Sequence, residues 1–527
     1  MLRASVVRAC PSRIFSSAKI VKAEKKTGAC SQFSEAYPIF CKDKRFIRFP
    51  DASSGKNRNF GKKLRNLCQG TIDQPRITGA ESVIRVISPV ICFLFFRAEY
   101  PIFAKTRRGK FESRRSKNRD VRKNPLRDEN KQLNLIGMKT NLNYDMFVPT
   151  RTLFGAGTLN ELHAQPMPGR KALLVISNGR STRANSYLSR TEEQLRMAGV
   201  ETVLFDRVEA NPLKSTVMAG GAMARENGCD MIVALGGGSV MDAAKLASVL
   251  VTDAYGVKEL LDNPGMAQKC VPIVLIPTTA GTGAEATPNA IVAVPEKELK
   301  VGIVNENMIA DYVILDARMI KNLPRKIAAA TGVDALAHCI ECFTSNKANP
   351  FSDLYALEGL DLILNNIEKA CDDPDAMAEK NRMQIAAYYG GLAITASGTT
   401  AVHALSYPLG GKYHIAHGVS NAILLAPVMR FNSEHPAVRE RLAAAYDRCC
   451  HEEKTCTTVE EKTAWMIARL EHIVKHLDIP TSLKEFGVPA EDLEGLVNAG
   501  MQVQRLLVNN MRPVTADDAR KLYQEIM

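Results

Sequence analysis

Residues Asp230–Lys245 read DMIVALGGGSVMDAAK, and this stretch decides the fold class of the chain. Five of its first six residues are apolar, which predicts a buried strand, and the later residues favour a helix whose first turn lies near Val240–Ala243. Three glycines between a strand and a helix let the backbone approach a pyrophosphate at the positive end of the helix dipole. The stretch therefore predicts a phosphate-binding turn at its three glycines and Ser239, although a generic glycine turn would look the same.

Strands and helices alternate around this turn. KALLVIS (171–177), VETVLFD (200–206) and DMIVAL (230–235) are typical of strands, and amphipathic stretches between them are typical of helices. This β-α-β-α-β order predicts a Rossmann-like parallel sheet with helical crossovers. Two later apolar runs, PIVLIPTT (272–279) and NAIVAV (289–294), are predicted to be further strands.

A second candidate ligand-binding turn follows the strand PIVLIP. The stretch IPTTAGTGAEAT (276–287) places the hydroxyls of Thr278, Thr279 and Thr282 at a strand end, which is where parallel sheets bind ligands. An ordinary turn would explain its glycines equally well.

The pattern changes from alternating to helical at about Leu323 and stays helical to the last residue. We therefore expect an α/β dinucleotide-binding domain at 138–323 and an all-helical domain at 324–527. The helical part contains the chain's most conspicuous polar residues.

A candidate metal site is spread over two helical segments. The run RKIAAATGVDALAHCIECF (325–343) predicts a helix with Asp334 and His338 one turn apart on one face. The segment VHALSYPLGGKYHIAHG (402–418) contributes His403, His414 and His417, three of the nine histidines. One carboxylate and three imidazoles form a donor set that suits a divalent metal, and spacing alone does not decide which histidines take part.

The first 137 residues differ from the rest in charge. They contain 31 Lys and Arg against 11 Asp and Glu, a net charge of +20, so 38 against 45, or −7, remain for residues 138–527. We expect a disordered or non-native extension ahead of Met138; a mitochondrial transit peptide and a nucleic-acid-binding arm are the alternatives. Its apolar run VISPVICFLFF (86–96) is about half as long as a membrane span, so no membrane association is expected.

Thirteen cysteines without a framework spacing indicate reduced thiols in an intracellular compartment. Cys339 and Cys342 form a CxxC, but no second CxxC completes a zinc site, so both are predicted to be core residues.

Five motifs, in this order, closely resemble the iron-containing (group III) alcohol dehydrogenase family. They are FGAGTLNEL, GGGSVMDAAK, IPTTAGTGAEAT, ATGVDALAHCIE and HALSYPLGGKYHIAHGVSNAILLAPVMRFN. The resemblance covers residues 139–527 and implies a dinucleotide-binding domain, an all-helical domain, and a metal and nicotinamide that meet between them. It implies hydride transfer between NAD or NADP and a small primary alcohol, diol or aldehyde, whose oxygen is polarised by Fe²⁺ or Zn²⁺.

The resemblance also assigns residues to roles. It implies that the metal ligands are Asp334, His338, His403 and His417, and that His414 is a bystander. It implies cofactor contacts at Asn211, Gly237, Gly238, Ser239, Thr278, Thr279, Thr282 and Lys300.

Two positions depart from the family pattern. Many members carry an aspartate after the first strand, where its charge disfavours NADP, but this chain has Asn178 there, so NADP is expected to be accepted. Many members have a histidine four residues after the first downstream metal histidine, and Tyr407 replaces it here. Tyr407 or a water chain is therefore the expected proton carrier.

Several related activities remain open at this stage. A glycerol dehydrogenase, a dehydroquinate-synthase-like lyase and a hydroxyacid-oxoacid transhydrogenase combine similar domains. A nucleic-acid-binding role is not expected, because the aromatic residues of the basic segment are not interleaved as a stacking platform. We expect a cytoplasmic homo-oligomer, or a mitochondrial enzyme if the first residues are a transit peptide.

Overall fold

The computed structural model describes residue 144, residues 146–294 and residues 299–527. The predicted basic extension at 1–137, with its apolar run, lies outside these residues. Within the described ranges no helix has the length and apolar character to cross a membrane.

A parallel sheet forms the centre of the α/β half. The strands of the described part are β1 Arg151–Phe154, β2 Lys171–Ser177, β3 Glu201–Val208, β4 Met231–Gly236, β5 Ile273–Pro277, β6 Asn289–Val294, β7 Leu299–Val304 and β8 Tyr312–Leu315. Six of them pair in parallel in the order β1-β8-β5-β4-β2-β3. The predicted parallel sheet is confirmed, and β4, which leads into the glycine turn, lies inside it.

Helices cover both faces of this sheet. They are α1 Ser181–Ala184, α2 Tyr187–Met197, α3 Lys214–Glu226, α4 Gly238–Val249 and α5 Val257–Asp262. Successive β2 side chains belong to different cores: Leu173 and Val175 pack on one face, while Leu174 and Ile176 pack on the other. This alternation follows from the two-residue period of a strand and gives the doubly wound arrangement.

The predicted NAIVAV strand is confirmed, with a partner that was not predicted, and one helix boundary needs correction. NAIVAV forms a strand, but β6 pairs antiparallel with β7 in a separate two-stranded sheet, with Ile291 opposite Gly302. The helix after the glycines begins at Gly238, two residues earlier than predicted, because Gly237 already serves as its N-cap. The short outer strand β1 and strand β8 were not predicted; β1 is largely exposed and has no clear apolar alternation.

The second half consists of helices. They are α6 Arg325–Phe343, α7 Pro350–Leu364, α8 Ile367–Asp372, α9 Met377–Ser397, α10 Ala401–Lys412, α11 His417–Asn432, α12 Pro436–Cys449, α13 Val459–His476, α14 Leu493–Met501, α15 Gln504–Leu507 and α16 Ala516–Ile526. Helix α6 spans the run that the sequence predicts and packs against α7, α9 and α11. Its nearly complete burial explains why its sequence is apolar on most sides.

Candidate metal centre and cofactor cleft

Three helices bring four donor groups to one point. Asp334 and His338 project from α6, His403 lies in the first turn of α10, and His417 is the first residue of α11. The Oδ1 atom of Asp334 lies 3.7 Å from Nε2 of His338, 3.7 Å from Nε2 of His403 and 3.5 Å from Nε2 of His417. One ligand atom from each of the four lies within 4.8 Å of all the others.

These separations fit a single metal ion. Four ligands held at about 2.1 Å in a tetrahedron are about 3.4 Å apart, close to the distances from Asp334 Oδ1. The Asn421 amide nitrogen lies 2.7 Å from Asp334 Oδ1, 3.1 Å from His403 Nε2 and 3.3 Å from His417 Nε2. An amide nitrogen carries only two hydrogens, so it can donate to at most two of these three atoms at once.

The electrostatics of Asp334, His338 and His417 favour the protonation states that bind a metal. Burial alone would raise the pKa of Asp334, but interactions with the imidazoles of His338, His417 and His403 hold that pKa well below its usual range. Burial lowers the pKa of His338 and lowers that of His417 to about 4. An ionised carboxylate and neutral imidazoles are the forms that bind a divalent ion.

Glu341 orients His403 and was missed in the sequence. This fully buried carboxylate hydrogen-bonds His403 Nδ1 and accepts from the backbone N–H groups of Thr400 and Val402 at 3.1 and 2.7 Å. Burial opposes a charge on His403, but Glu341 outweighs that effect and raises the pKa of His403 to about 9. In the metal-free protein His403 is therefore protonated on both nitrogens; Glu341 holds the Nδ1 proton, so release of the Nε2 proton would leave that nitrogen free to bind an ion in the cluster. Glu341 follows His338 by three residues on α6, a spacing that could have indicated it.

Asn421 was also missed. It follows His417 by four residues on α11, so its position on the same face was readable from the helix period. The close approach of α11 to α6 requires Gly418, because a Cβ there would lie 2.0 Å from the Ala330 carbonyl oxygen. His414 is exposed, has a positive φ of 56° and does not belong to the donor group.

A cavity of about 600 Å³ joins this cluster to the glycine turn. Its walls include the cluster and, among the predicted cofactor contacts, Asn211, Gly238, Ser239, Thr282 and Lys300. The backbone N–H of Asn211 donates to Ser239 Oγ at 3.2 Å. A Cβ on Gly238 would lie 2.8 Å from Thr282 Cγ2, so a glycine is required where the two turns meet. The glycine turn and the metal cluster therefore border the same cavity.

The other predicted cofactor contacts lie outside the cavity wall. Thr278 donates its backbone N–H to the Gly236 carbonyl at 2.9 Å, and the Thr279 side chain packs 3.3 Å from where a Gly237 Cβ would be. Asn178 is exposed after β2, and its backbone N–H bonds the Val208 carbonyl at 2.9 Å. These residues shape the turns beside the cavity.

A buried lysine connects the two turns and was not anticipated. Lys245 on α4 is fully buried, and its Nζ donates to the carbonyl oxygens of Ala284 and Thr287 at 2.7 and 3.1 Å. Asp242 Oδ1 lies 3.6 Å from the same nitrogen. Lys245 therefore ties helix α4 to the loop that contains Thr282.

Tyr407 lies in the cavity wall beside the cluster. Its ring centroid is 6.1 Å from that of His417. Burial raises the pKa of Tyr407, and the nearby Arg505 guanidinium opposes this only in part. Tyr407 therefore keeps its proton at neutral pH.

The comparisons agree with this arrangement. The family model "Iron-containing alcohol dehydrogenase" matches residues 149–317, and the model of the family's C-terminal part matches residues 328–527. Long-chain-alcohol dehydrogenase 1 of Geobacillus thermodenitrificans is 32% identical over 380 residues, 71% of this chain and 95% of that protein.

Solved structures show the same fold. A crystal structure of 1,3-propanediol oxidoreductase matches with a TM-score of 0.69 and 29% identity over 73% of this chain and all of the other. Sulfoacetaldehyde reductase from Bifidobacterium kashiwanohense, solved in complex with NAD⁺, matches with a TM-score of 0.65 and 26% identity over 73% of this chain and 99% of that one. The chain belongs to the iron-containing alcohol dehydrogenase family and is a metal-dependent oxidoreductase.

Proposed function

We propose that this enzyme transfers hydride between NAD(H) or NADP(H) and a small primary alcohol, diol or aldehyde. Asp334, His338, His403 and His417 would hold the metal ion, with Fe²⁺ as the expected ion and Zn²⁺ as a possible substitute. The observation that carries the proposal is the convergence of three imidazole nitrogens on one carboxylate oxygen, in the wall of a cavity that also contains the glycine turn.

The residues around the donor group would direct the substrate to one side of it. The side chains of Asp334, His338 and His403 are nearly fully buried, whereas that of His417 is 38% exposed. A substrate oxygen can therefore approach only from the cavity. A divalent ion bound there supplies Lewis-acid polarisation of that oxygen, and nicotinamide supplies or accepts the hydride.

The proton of the substrate hydroxyl needs a carrier from the protein or from water. Tyr407 is the proposed carrier because it borders the same cavity beside His417. A hydroxyl with a raised pKa would pass a proton along a hydrogen-bonded chain and remain neutral itself.

The cofactor would lie with its pyrophosphate at Gly237, Gly238 and Ser239, where the N-terminus of α4 presents free N–H groups. Asn211, Thr278, Thr279, Thr282 and Lys300 would complete its site, and Asn178 would lie near the adenosine ribose. A cytoplasmic location and a homo-oligomeric state remain predictions.

Metal removal and reloading test the proposal. The full chain is stripped with a chelator, reloaded with Fe²⁺ or Zn²⁺, and assayed for NADH or NADPH formation with short alcohols and diols. We expect activity to disappear and return with the ion, and to require added cofactor, which separates this enzyme from a transhydrogenase that keeps its nicotinamide bound.

Alanine variants test the ligand assignment. Each of Asp334→Ala, His338→Ala, His403→Ala and His417→Ala should lose metal and nearly all turnover, because each removes one of four ligands. His414→Ala is the matched control and should retain its metal. Metal analysis of the purified variants decides the matter: a metal-free His414→Ala, or a metal-bound and active His403→Ala, would refute the assignment.

A further inference from the structure

The cavity wall has an excess of positive charge. Three cationic side chains border it: Lys300, Lys347 and Arg505. Its two carboxylates are already engaged, since Asp334 belongs to the donor group and Asp242 accepts from the Ile291 backbone N–H at 3.1 Å. In the part of the chain that the structure describes, no ion pair joins any of the three cations to a carboxylate. A divalent ion would add to this positive charge.

Arg505 is the cation placed to meet a substrate. Helix α15, which carries it, packs against α10, the helix of His403 and Tyr407. Its guanidinium lies beside the Tyr407 hydroxyl, and Tyr407 in turn lies beside His417. On the other side of the guanidinium, Arg505 Nη2 lies 3.5 Å from the position that a Cβ atom on Gly302 would occupy. The guanidinium therefore lies between β7 and α10, one side chain away from the donor group.

We propose that Arg505 binds the carboxylate of the substrate, and that the preferred substrates are alcohols and aldehydes with a carboxylate at the opposite end of a short chain. This proposal rests on the proposed function. In the oxidation direction the alcohol carbon would give its hydride to the cofactor, and the hydroxyl would give its proton by way of Tyr407 to solvent. The carboxylate would remain unchanged.

The chemistry of the side chain favours a carboxylate over other groups. A guanidinium presents parallel N–H donors that match the two oxygens of a carboxylate, and it remains charged at all physiological pH values. The cofactor phosphates would balance Lys300, but a neutral diol would leave Arg505 without a counter-charge, and a cationic alcohol would be repelled by it. The cofactor pyrophosphate is expected at the glycine turn, so it does not account for a guanidinium beside Tyr407.

Paired substrates test this with the full-length, Fe²⁺-loaded enzyme. The specificity constant kcat/KM is measured at pH 8 for 3-hydroxypropanoate, 4-hydroxybutyrate and 5-hydroxypentanoate, and for the diols of the same lengths. We expect the acid to exceed its diol by about tenfold or more at the best chain length, and Arg505→Met to lower that ratio by about thirtyfold. Arg505→Lys should give an intermediate ratio, because it keeps the charge and loses the paired donors.

The control variant removes an equal charge elsewhere. Lys521 is exposed on α16 and does not border the cavity, so Lys521→Met should leave the acid-to-diol ratio as in the wild type. Equal kcat/KM values of the wild type for acids and diols would overturn the proposal. So would an Arg505→Met variant in which both kcat/KM values fall by the same factor.

Binding of a non-reacting acid separates this proposal from the proposed function. Calorimetry measures n-butyrate binding to the enzyme with NADH bound, for the wild type and for Arg505→Met. We expect butyrate binding that weakens by at least about tenfold in the variant. If no alcohol is oxidised yet butyrate binding depends on Arg505, the proposed function fails and the anion site stands. Butyrate that binds both proteins equally, or neither, refutes the anion site.

Discussion

Single side chains at the metal cluster have two tasks: four present donor atoms, and two hold the donors in place. The sequence indicates Asp334 and His338, because a helix period of 3.6 puts residues four apart on one face. It does not by itself select His417 over His414. That choice depends on where the loop before α11 turns, and His414 takes a left-handed conformation there that directs it into solvent. Glu341 and Asn421 were missed because their helical spacing from His338 and His417 indicates a nearby position on the helix but not an orienting role.

Removal of the Glu341 charge should weaken metal binding. Glu341→Gln keeps the shape of the side chain but no longer fixes the Nδ1 proton of His403, so we expect metal affinity to fall by about 10–100-fold. The measurement is a competition titration against a chelator, with circular dichroism as a check on folding. Glu491→Gln, an exposed change of the same kind, should bind metal like the wild type. Unchanged affinity in Glu341→Gln would show that the carboxylate serves only as a cap on α10.

We expect the position after β2, Asn178, to set the choice of cofactor. Asn178 lacks the charge that repels a 2′-phosphate, so we expect the kcat/KM values for NADP(H) and NAD(H) to lie within about tenfold, equivalent to about 1.4 kcal/mol. Asn178→Asp should shift the preference towards NAD(H). A wild-type preference for NAD(H) of several hundredfold that Asn178→Asp leaves unchanged would rule out this role for Asn178.

Among the elements, α4 and the loop that follows β5 behave as one unit. Lys245 joins them through buried hydrogen bonds, and Glu285 lies buried in the same loop. The sequence predicts both elements, from the strand–glycine–helix order and from the threonine turn. It cannot predict their connection, because a lysine is ordinarily a surface residue and only the tertiary fold shows where its Nζ ends. The hairpin of β6 and β7 was missed for the same reason: strand alternation does not specify the partner strand.

The buried Glu285 should make stability depend on pH. Burial raises its pKa to about 7, and the charge of Lys245 opposes this only in part. A carboxyl whose pKa is higher in the folded state binds more protons there, so the free energy of unfolding should fall as pH rises from about 4.5 through 7. Glu285→Gln removes this titrating carboxyl. The decrease in the free energy of unfolding between pH 5 and pH 8 should therefore be smaller in the variant by about 2–3 kcal/mol.

Urea unfolding at the two pH values measures this effect. Glu440→Gln, an exposed substitution of the same type, should keep the wild-type pH dependence. If Glu285→Gln lost as much stability as the wild type over this range, Glu285 would be ionised in the folded protein.

At the scale of the whole molecule, the change in net charge along the chain and the start of the family match lie close together in the sequence. The net charge of +20 belongs to residues 1–137, and the two family models together begin at residue 149. Among the described residues, Tyr144 precedes the family match and packs its ring edge-on against Phe351, with centroids 5.3 Å apart. The division rests on the sequence, in which the first segment is strongly basic and lacks the apolar periodicity of the later residues, and it stays a prediction.

A shortened chain tests the role of the first segment. A protein that starts at Met138 should keep its metal content and should retain activity within about twofold, because the enzyme body has its own core. A protein that starts at Arg151 is the contrasting variant: it loses Tyr144 and should have a lower melting temperature. An insoluble or inactive Met138 form, beside an active full chain, would show that the extension is needed.

The donor group comes entirely from α6, α10 and α11, whereas the glycine turn comes from β4 and α4. Under the proposed assignment, loading of the ion and loading of the dinucleotide are separate events on different halves of the chain. A preparation that has lost its ion would still be retained by an immobilised nucleotide. Purification on such a resin would therefore enrich intact chains without enriching active ones, and specific activity would have to be expressed per bound metal rather than per milligram of protein.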